Sequence, residues 1–383
     1  MVSRWQDLAT AITRSDEHQE ASDGGRLLVI GSGLSHMDLT INDEQAIRSA
    51  DFVFHCLYDR VTQTWIDRLR PDAYDMRILY DEDSPRYDTY VRMAEAMMHH
   101  VRRGASVLAI YYGHPGMFAT PTHRAVRIAR AEGFEAKMRP GISALDHLVA
   151  DVGFDPMTPG MISYEASDLV MNRRPAEPSL HTVLWQVGVV GELGYSADGF
   201  ANRGFDLLVD RLEAAYGTNA PVVHYIAPQY VGVEPLVERY EVFRLRSPEV
   251  RGRINSMSTF YMPPALSTLT TGRRGSETAY SDPILPNDCI QDAILYGPYE
   301  RAALAWFSSF KSPARYAIGA VTPATEFLLI VSRDLDLQRE YVRDAAGLIA
   351  KLNLPGMSER AKKLLAIPNP LAMNAAIAEP SEI

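Results

Sequence analysis

Over 383 residues the chain is 46% apolar and 22% charged, with a formal net charge of −10; that length can bury two or three cores, and the acidic balance sets nucleic acid aside as a partner. Two cysteines, Cys56 and Cys289, show no CxxC or histidine pairing, which argues against a zinc site or a disulfide framework and for a reducing compartment. No metal is expected.

The first 25 residues read as an appended extension. Trp5, Leu8, Ala9 and Ile12 recur at helical spacing, and the polar Ser15 to Gly25 follows as a linker. This start lacks the apolar core of a signal peptide, and no run in the chain reaches membrane-spanning length. A soluble, cytoplasmic protein with no membrane partner is expected.

The body opens with the apolar run Arg26 to Ile30, then Gly31-Ser32-Gly33. His36 stands where a dinucleotide fingerprint needs its third glycine, so this is a phosphate-loop pattern in outline only. Thr40 and Asp43 form a capping pattern for a helix bearing Ala46, Ile47 and Ala50. Asp51 to His55 is the next strand, and strand–helix–strand order predicts a parallel sheet.

Residues 71 to 90 gather Tyr74, Tyr80, Arg86, Tyr87 and Tyr90 among Asp81, Glu82 and Asp83, with Ser84-Pro85 as a turn. Such a cluster can be a dimer surface. Beside a cofactor turn, the same groups are hydrogen-bond donors and proton carriers. The helix that follows carries Met93, Met97 and Val101 as a core stripe.

Val107 to Tyr111 reads as a buried strand that Tyr112-Gly113-His114-Pro115-Gly116 forces into a turn. Ligands bind at such strand ends in open α/β sheets. A helix over Pro121 to Glu132, a strand over Glu135 to Met138 and Pro140-Gly141-Ile142-Ser143-Ala144 follow, with Ser143 as the cap of a new helix. A second α/β unit occupies about 160 to 264. Its strands are Met161 to Tyr164, Thr182 to Val187, Pro221 to Ile226 and Ser258 to Met262, with a helix over Phe205 to Tyr216. Gln186, Tyr225, Ser258 and Thr259 are either internal network members or ligand contacts.

After Pro264 the composition turns to Ser, Thr, Gly and Pro, an extended arm. Helices are expected over Gln291 to Phe310, Glu326 to Val331, Leu337 to Leu352, Ser358 to Leu365 and Pro370 to Ala378. Each is too short to stand alone.

Together, Gly31-Ser32-Gly33, Leu39-Thr40, Tyr112 through Gly116 and Pro140 through Ala144 resemble the tetrapyrrole-methylase superfamily. More narrowly, with Tyr164 to Asp168, Val222 to Ala227, Ser258 to Tyr261 and the tail from Leu337 to Glu379, the chain resembles the borosin peptide-backbone α-N-methyltransferases. The resemblance implies an α/β, two-lobed tetrapyrrole-methylase-like fold with a C-terminal arm and a small helical leader-like domain. It divides the chain into a helical extension (1–25), an N-terminal lobe (26–141), a C-terminal lobe (142–264), a dimer-clasp arm (265–325) and a leader-like domain with tail (326–383).

It further implies S-adenosylmethionine as methyl donor, S-adenosylhomocysteine as product, a homodimer, and a peptide substrate in the chain's own tail, its partner's tail or a separate precursor. Few residues follow the last leader-like helix, and they lack the Val/Ile-rich core of the family. A separate precursor or a shortened tail is the expectation that follows.

By the same resemblance Tyr80 takes or relays the amide proton, and Arg86 steadies an imidate-like oxygen or keeps a tyrosine partly ionised. Tyr90 and Tyr112 bind the substrate amide. Arg77 stands where the family has a further tyrosine. The cofactor falls to His114, Met117, Phe118, Ser143, Ala144, Gln186, Tyr225, Ala227, Ser258 and Thr259; Met117 and Phe118 equally suit a core. A porphyrinoid methyltransferase and a catalytically inactive peptide-binding module are the competing readings.

Overall fold

The apolar run Arg26–Gly31 becomes the strand β1, paired in parallel on one side with Ser106–Tyr111 and on the other with Glu135–Met138. The computed structural model describes residues 2–14, 24–80, 82, 86–196, 199–228, 234–265, 321–332, 334–367 and 370–381. In chain order its elements are α1 (Val2–Arg14), β1, α2 (Ile41–Ser49), β2 (Phe52–Cys56), α3 (Arg60–Leu69), β3 (Tyr74–Asp75), α4 (Arg86–Val101), β4 (Ser106–Tyr111), α5 (Thr120–Ala131), β5 (Glu135–Met138), α6 (Ala144–Val152), β6 (Met161–Glu165), α7 (Ala166–Met171), β7 (His181–Trp185), α8 (Phe205–Tyr216), β8 (Pro221–Ile226), β9 (Leu236–Glu241) and β10 (Thr259–Met262). Helices over Pro323–Ser332, Leu335–Arg343, Ala345–Leu352, Glu359–Leu365 and Pro370–Ala378 complete it.

The first sheet has the order β3-β2-β4-β1-β5 and is parallel throughout. Its centre is β4, where Leu108 lies level with Leu28 on one side and Val53 on the other. A parallel sheet has to be covered on its faces. Trp5, Leu8, Met93, Met97, Val101, Ala125 and Ala129 from α1, α4 and α5 share a core with Leu27, Val29, Phe54, Val107 and Ala109. Tyr74 belongs to that core and not to a polar cluster, because it stacks on Phe54 at 4.9 Å.

The second sheet has the order β6-β7-β10-β8-β9. Only β6 and β7 run parallel; β10 is antiparallel to β7 and β8, and β9 to β8. One face packs Phe205, Leu208 and Leu212 of α8 against Val222 and Phe260. The other packs Leu148 and Phe154 against Val183, Trp185, Val223, Tyr225 and Tyr261.

Two strands differ here from the sequence expectation. The strand expected to run through Val187 ends at Trp185, since Gln186 adopts φ +58°. An edge strand, β9, occupies Leu236–Glu241, whose charged residues hid it. The expected arm and the helix over Gln291 to Phe310 lie outside the described residues but for a few at the arm's ends.

By contacts, the described residues within 1–39 and 50–293 form one unit and those within 40–49 and 294–383 another. In the latter, Phe327, Leu348, Ile349, Met357, Ala361, Leu365 and Ala376 make the core. Gln45 of α2 accepts a hydrogen bond from the Leu335 N–H at 3.2 Å, joining α2 to this helical group. The expected single helix from Leu337 to Leu352 is broken at Asp344, whose carboxylate accepts from the Gly347 N–H at 2.9 Å and starts a new helix.

Candidate active site

At the carboxyl ends of β1, β4 and β5 three stretches of backbone close on one another. The Gly113 N–H donates to the Gly33 carbonyl at 2.9 Å, an isolated antiparallel bridge beyond the parallel strands. Gly33 and Gly113 sit at φ +69° and +68°, a region that favours glycine. A side chain on Gly31 would overlap the Gly113 carbonyl oxygen, and one on Gly141 would lie 3.2 Å from that same atom. Glycine is therefore what lets three strand ends converge.

His114 folds back over this turn. Its Nδ1 accepts from the Gly116 N–H at 3.0 Å, which leaves Nε2 as the outward donor of the neutral ring. Its carbonyl accepts from Met117 N–H at 3.1 Å. Phe118, at φ +52° and 55% exposed, turns its ring edge toward Trp185 at 6.3 Å. Phe118 is thus not a core residue, whereas Met117 is half-buried.

Tyr80 ends a short turn of 3-10 helix over Met76–Leu79. The Tyr58 hydroxyl donates to the Tyr80 hydroxyl at 3.4 Å, and Tyr80 and Tyr90 act on each other electrostatically. Tyr112 meets Tyr58 edge-on at 6.3 Å. Arg86 opens α4, one turn before Tyr90, and hydrogen-bonds that hydroxyl. Its guanidinium also donates to the carbonyls of Glu192 and Gly194 and lies 5.9 Å from the Phe200 ring. The loop after β7 is thereby tied to the tyrosines of the first sheet.

Burial governs the electrostatics. It pushes the Tyr80 phenol far above its usual range and raises Tyr90 as well, although the charge and hydrogen bond of Arg86 pull Tyr90 down. Tyr58 is 56% exposed, yet protein atoms around its hydroxyl and the nearby Cys56 push it up to about 12. Buried Cys56 is likewise raised to about 12. In this geometry the phenols are protonated at neutral pH, and Tyr90 is the one Arg86 holds. Arg77, at the departed family position, is paired with Asp75 at 2.6 Å.

The remaining candidates line the matching end of the second sheet. Thr259 lies level with Tyr225, and Gln186 follows the last residue of β7. Buried Tyr225 donates to Asp151 at 2.6 Å. Ala227 lies just past β8 and Ala144 opens α6. The Ser143 hydroxyl donates to Asp146 at 2.6 Å and accepts from the Leu145 N–H, so it is used as a helix cap. Ser258 is bonded to His224 at 2.8 Å. The hydroxyls of Ser143, Tyr225 and Ser258 are thus occupied within the protein, as are the Ser143 and Ser258 N–H groups, which donate to Asp146 and to the Asn255 carbonyl.

Tyr58, Tyr195 and Phe200 join the site without having been singled out in the sequence. Tyr58 could have been found, because it follows a strand that neighbours β4. Tyr195 and Phe200 lie in a nonperiodic loop that carries no local signal.

Residues 26–225 match the tetrapyrrole (corrin/porphyrin) methylases. A methyltransferase/ribosomally synthesized type III borosin cyclic peptide precursor from Anomoporia bombycina is 38% identical over 358 residues, 89% of this chain and 41% of that protein. A methyltransferase/ribosomally synthesized cyclic peptide precursor of the gymnopeptides from Gymnopus fusipes is 36% identical, over 84% of this chain and 80% of that one. The corresponding omphalotin A precursor from Omphalotus olearius is 37% identical, over 76% and 73%. The chain spans about two-fifths of the length of the Anomoporia relative, by the 41% matched.

Proposed function

This chain belongs to the tetrapyrrole (corrin/porphyrin) methylase family and, within it, to the borosin-type methyltransferases; from that membership we propose that it methylates backbone amide nitrogens of a ribosomally made peptide, with S-adenosylmethionine as donor. The observation that carries the proposal is the meeting of Tyr58, Tyr80, Tyr90 and Arg86 beside the glycine-built strand ends.

An amide nitrogen is a poor nucleophile because its lone pair is delocalised into the carbonyl. Its proton has to leave as charge gathers on the oxygen. Tyr80 is placed to relay that proton through the hydroxyl of Tyr58, which is 56% exposed, to solvent water, which takes it up. Arg86 offers its guanidinium to the developing oxyanion. Tyr90 and Tyr112 orient the amide.

What suits the two sheet ends to the donor is the open space over Gly113 and the Phe118 and Trp185 rings. His114, Met117, Phe118, Ser143, Ala144, Gln186, Tyr225, Ala227, Ser258 and Thr259 would hold it. When bound, the donor supplies a methyl group activated on a sulfonium.

We further propose a homodimer in the cytoplasm, with residues 26–141 and 142–264 as the lobes, 265–325 as the clasp and 326–383 as the leader-like part. Among the described residues no helix is long and apolar enough to cross a membrane. The test is intact and fragment mass spectrometry after incubation with donor and a candidate precursor peptide. Mass steps of one methylene on peptide backbone support the reading. Methyl transfer to a uroporphyrinogen-like ring instead, or donor binding without turnover on any precursor, overturns it.

A further inference from the structure

His224 is fully buried on β8 and has no part in the tyrosine chemistry. Its Nδ1 lies 2.9 Å from a Glu238 carboxylate oxygen and its Nε2 lies 2.8 Å from the Ser258 hydroxyl. Burial alone would raise Glu238, but hydrogen bonds from His224, Tyr240 and Arg253 outweigh it and hold the carboxyl low. Tyr240 donates to Glu238 at 2.8 Å, and Arg253 pairs with its other oxygen. An ionised carboxylate only accepts, so the ring proton sits on Nδ1 and Nε2 is left as an acceptor. The Ser258 O–H therefore donates to His224.

A serine, a histidine and a carboxylate in line is also the layout of a nucleophile relay. Here Ser258 is 1% exposed and its Oγ already accepts from the Asn255 N–H at 2.9 Å. Its task is to hold and not to attack. The Ser258 N–H returns a bond to the Asn255 carbonyl at 2.9 Å, closing the turn, and the Ser258 carbonyl accepts from Val187 N–H at 3.3 Å. A side chain on Gly188 would overlap the Asn255 backbone. The 255–258 turn is therefore locked against the segment that begins at Gln186, and Thr259 follows directly.

We propose that His224, oriented by Glu238, is a positioning residue that fixes the Ser258 turn and with it the placement of Gln186, Ser258 and Thr259 beside the methyl donor. This rests on the methyltransferase reading above. Glu238→Gln replaces the carboxylate with an amide that can donate to Nδ1, which moves the ring proton to Nε2 and turns the Ser258 hydroxyl away.

The test is calorimetric titration of the full chain with S-adenosylhomocysteine, paired with nitrogen NMR of the imidazole. The unaltered protein is expected to show the Nδ1–H tautomer. Glu238→Gln is expected to shift it toward Nε2–H and to weaken binding roughly tenfold, the scale of one lost hydrogen bond. His224→Ala is expected to weaken binding at least as much, and His224→Gln, which can donate to Glu238 and accept from Ser258, to restore most of it. Unchanged affinity in Glu238→Gln, or an Nε2–H tautomer in the unaltered protein, overturns the relay while leaving the methyltransferase reading in place. If the unaltered chain does not bind the ligand, both fall. Should His224→Ala fail to fold, Glu238→Gln decides.

Discussion

Tyr195 stacks on Tyr80, with ring centroids 4.9 Å apart and 25° between the planes. One face of the proposed proton carrier is therefore covered by a residue from the loop after β7, and a substrate amide meets Tyr80 at its hydroxyl edge. Such a pair contributes about 0.5–1.5 kcal/mol beyond area burial. Tyr195→Ala is expected to lower turnover on a precursor peptide severalfold while cofactor affinity stays level, and Tyr195→Phe to behave as the unaltered chain. Equal rates in all three would remove the stack from the site.

Tyr80→Phe keeps the ring and the stack but loses the hydroxyl. General acid–base groups of this kind are worth roughly a hundredfold or more. Methyl transfer is expected to fall by that order with an unchanged melting temperature, followed by mass spectrometry and thermal unfolding. A fully active variant assigns proton removal to another group.

Arg86 reaches Tyr90 and two carbonyls at once, a task for a planar, forked cation. Arg86→Lys is therefore expected to fall nearly as far as Arg86→Ala. A lysine variant retaining most of the rate would reduce Arg86 to a point charge.

Burial raises Tyr58, Tyr80, Tyr90, Tyr111 and Tyr225. A phenol raised in the folded state lends stability that is complete below its unfolded pKa of about 10 and is lost as pH climbs past it. The melting temperature is expected to hold up to about pH 10 and to drop beyond it, as tyrosinate absorbance appears together with unfolding. Tyrosinate formation at ordinary phenol pH without loss of fold would contradict the burial.

A methyl group on Gly31 meets a main-chain oxygen that cannot swing aside. Gly31→Ala is expected to cost about 1–3 kcal/mol and to abolish S-adenosylhomocysteine binding. Gly113→Ala finds open space despite its positive φ and should cost about 1–2 kcal/mol of backbone strain. Denaturant midpoints and calorimetry rank the two; the reverse order would refute the convergence of strand ends.

How far the sequence could be read follows from range. Gly31, Gly33, Gly113, Gly116 and Gly141 announced the strand ends because glycine and proline interrupt an apolar run, a local signal. The Ser143 cap was legible for the same reason. Tyr74 and Tyr80 share one stretch, and only the fold places the former in a core and the latter in the site. Leu236–Glu241 has charged residues at alternate and adjacent positions, and its strand character depends on pairing with β8, far along the chain. With that strand unseen, Glu238 and its hold on His224 had no sequence signature. Within the helix expected over Leu337 to Leu352, Asp344 carries no local mark of a break, yet its carboxylate begins a new helix.

Ser143, Tyr225 and Ser258 turn their hydroxyls inward, toward Asp146, Asp151 and His224. A side chain committed to an internal partner cannot be exchanged without disturbing the fold as well as the site. An inhibitor aimed at the proposed donor site would find these polar side chains already engaged, and selectivity has to be sought among the phenols and the loop that carries Tyr195.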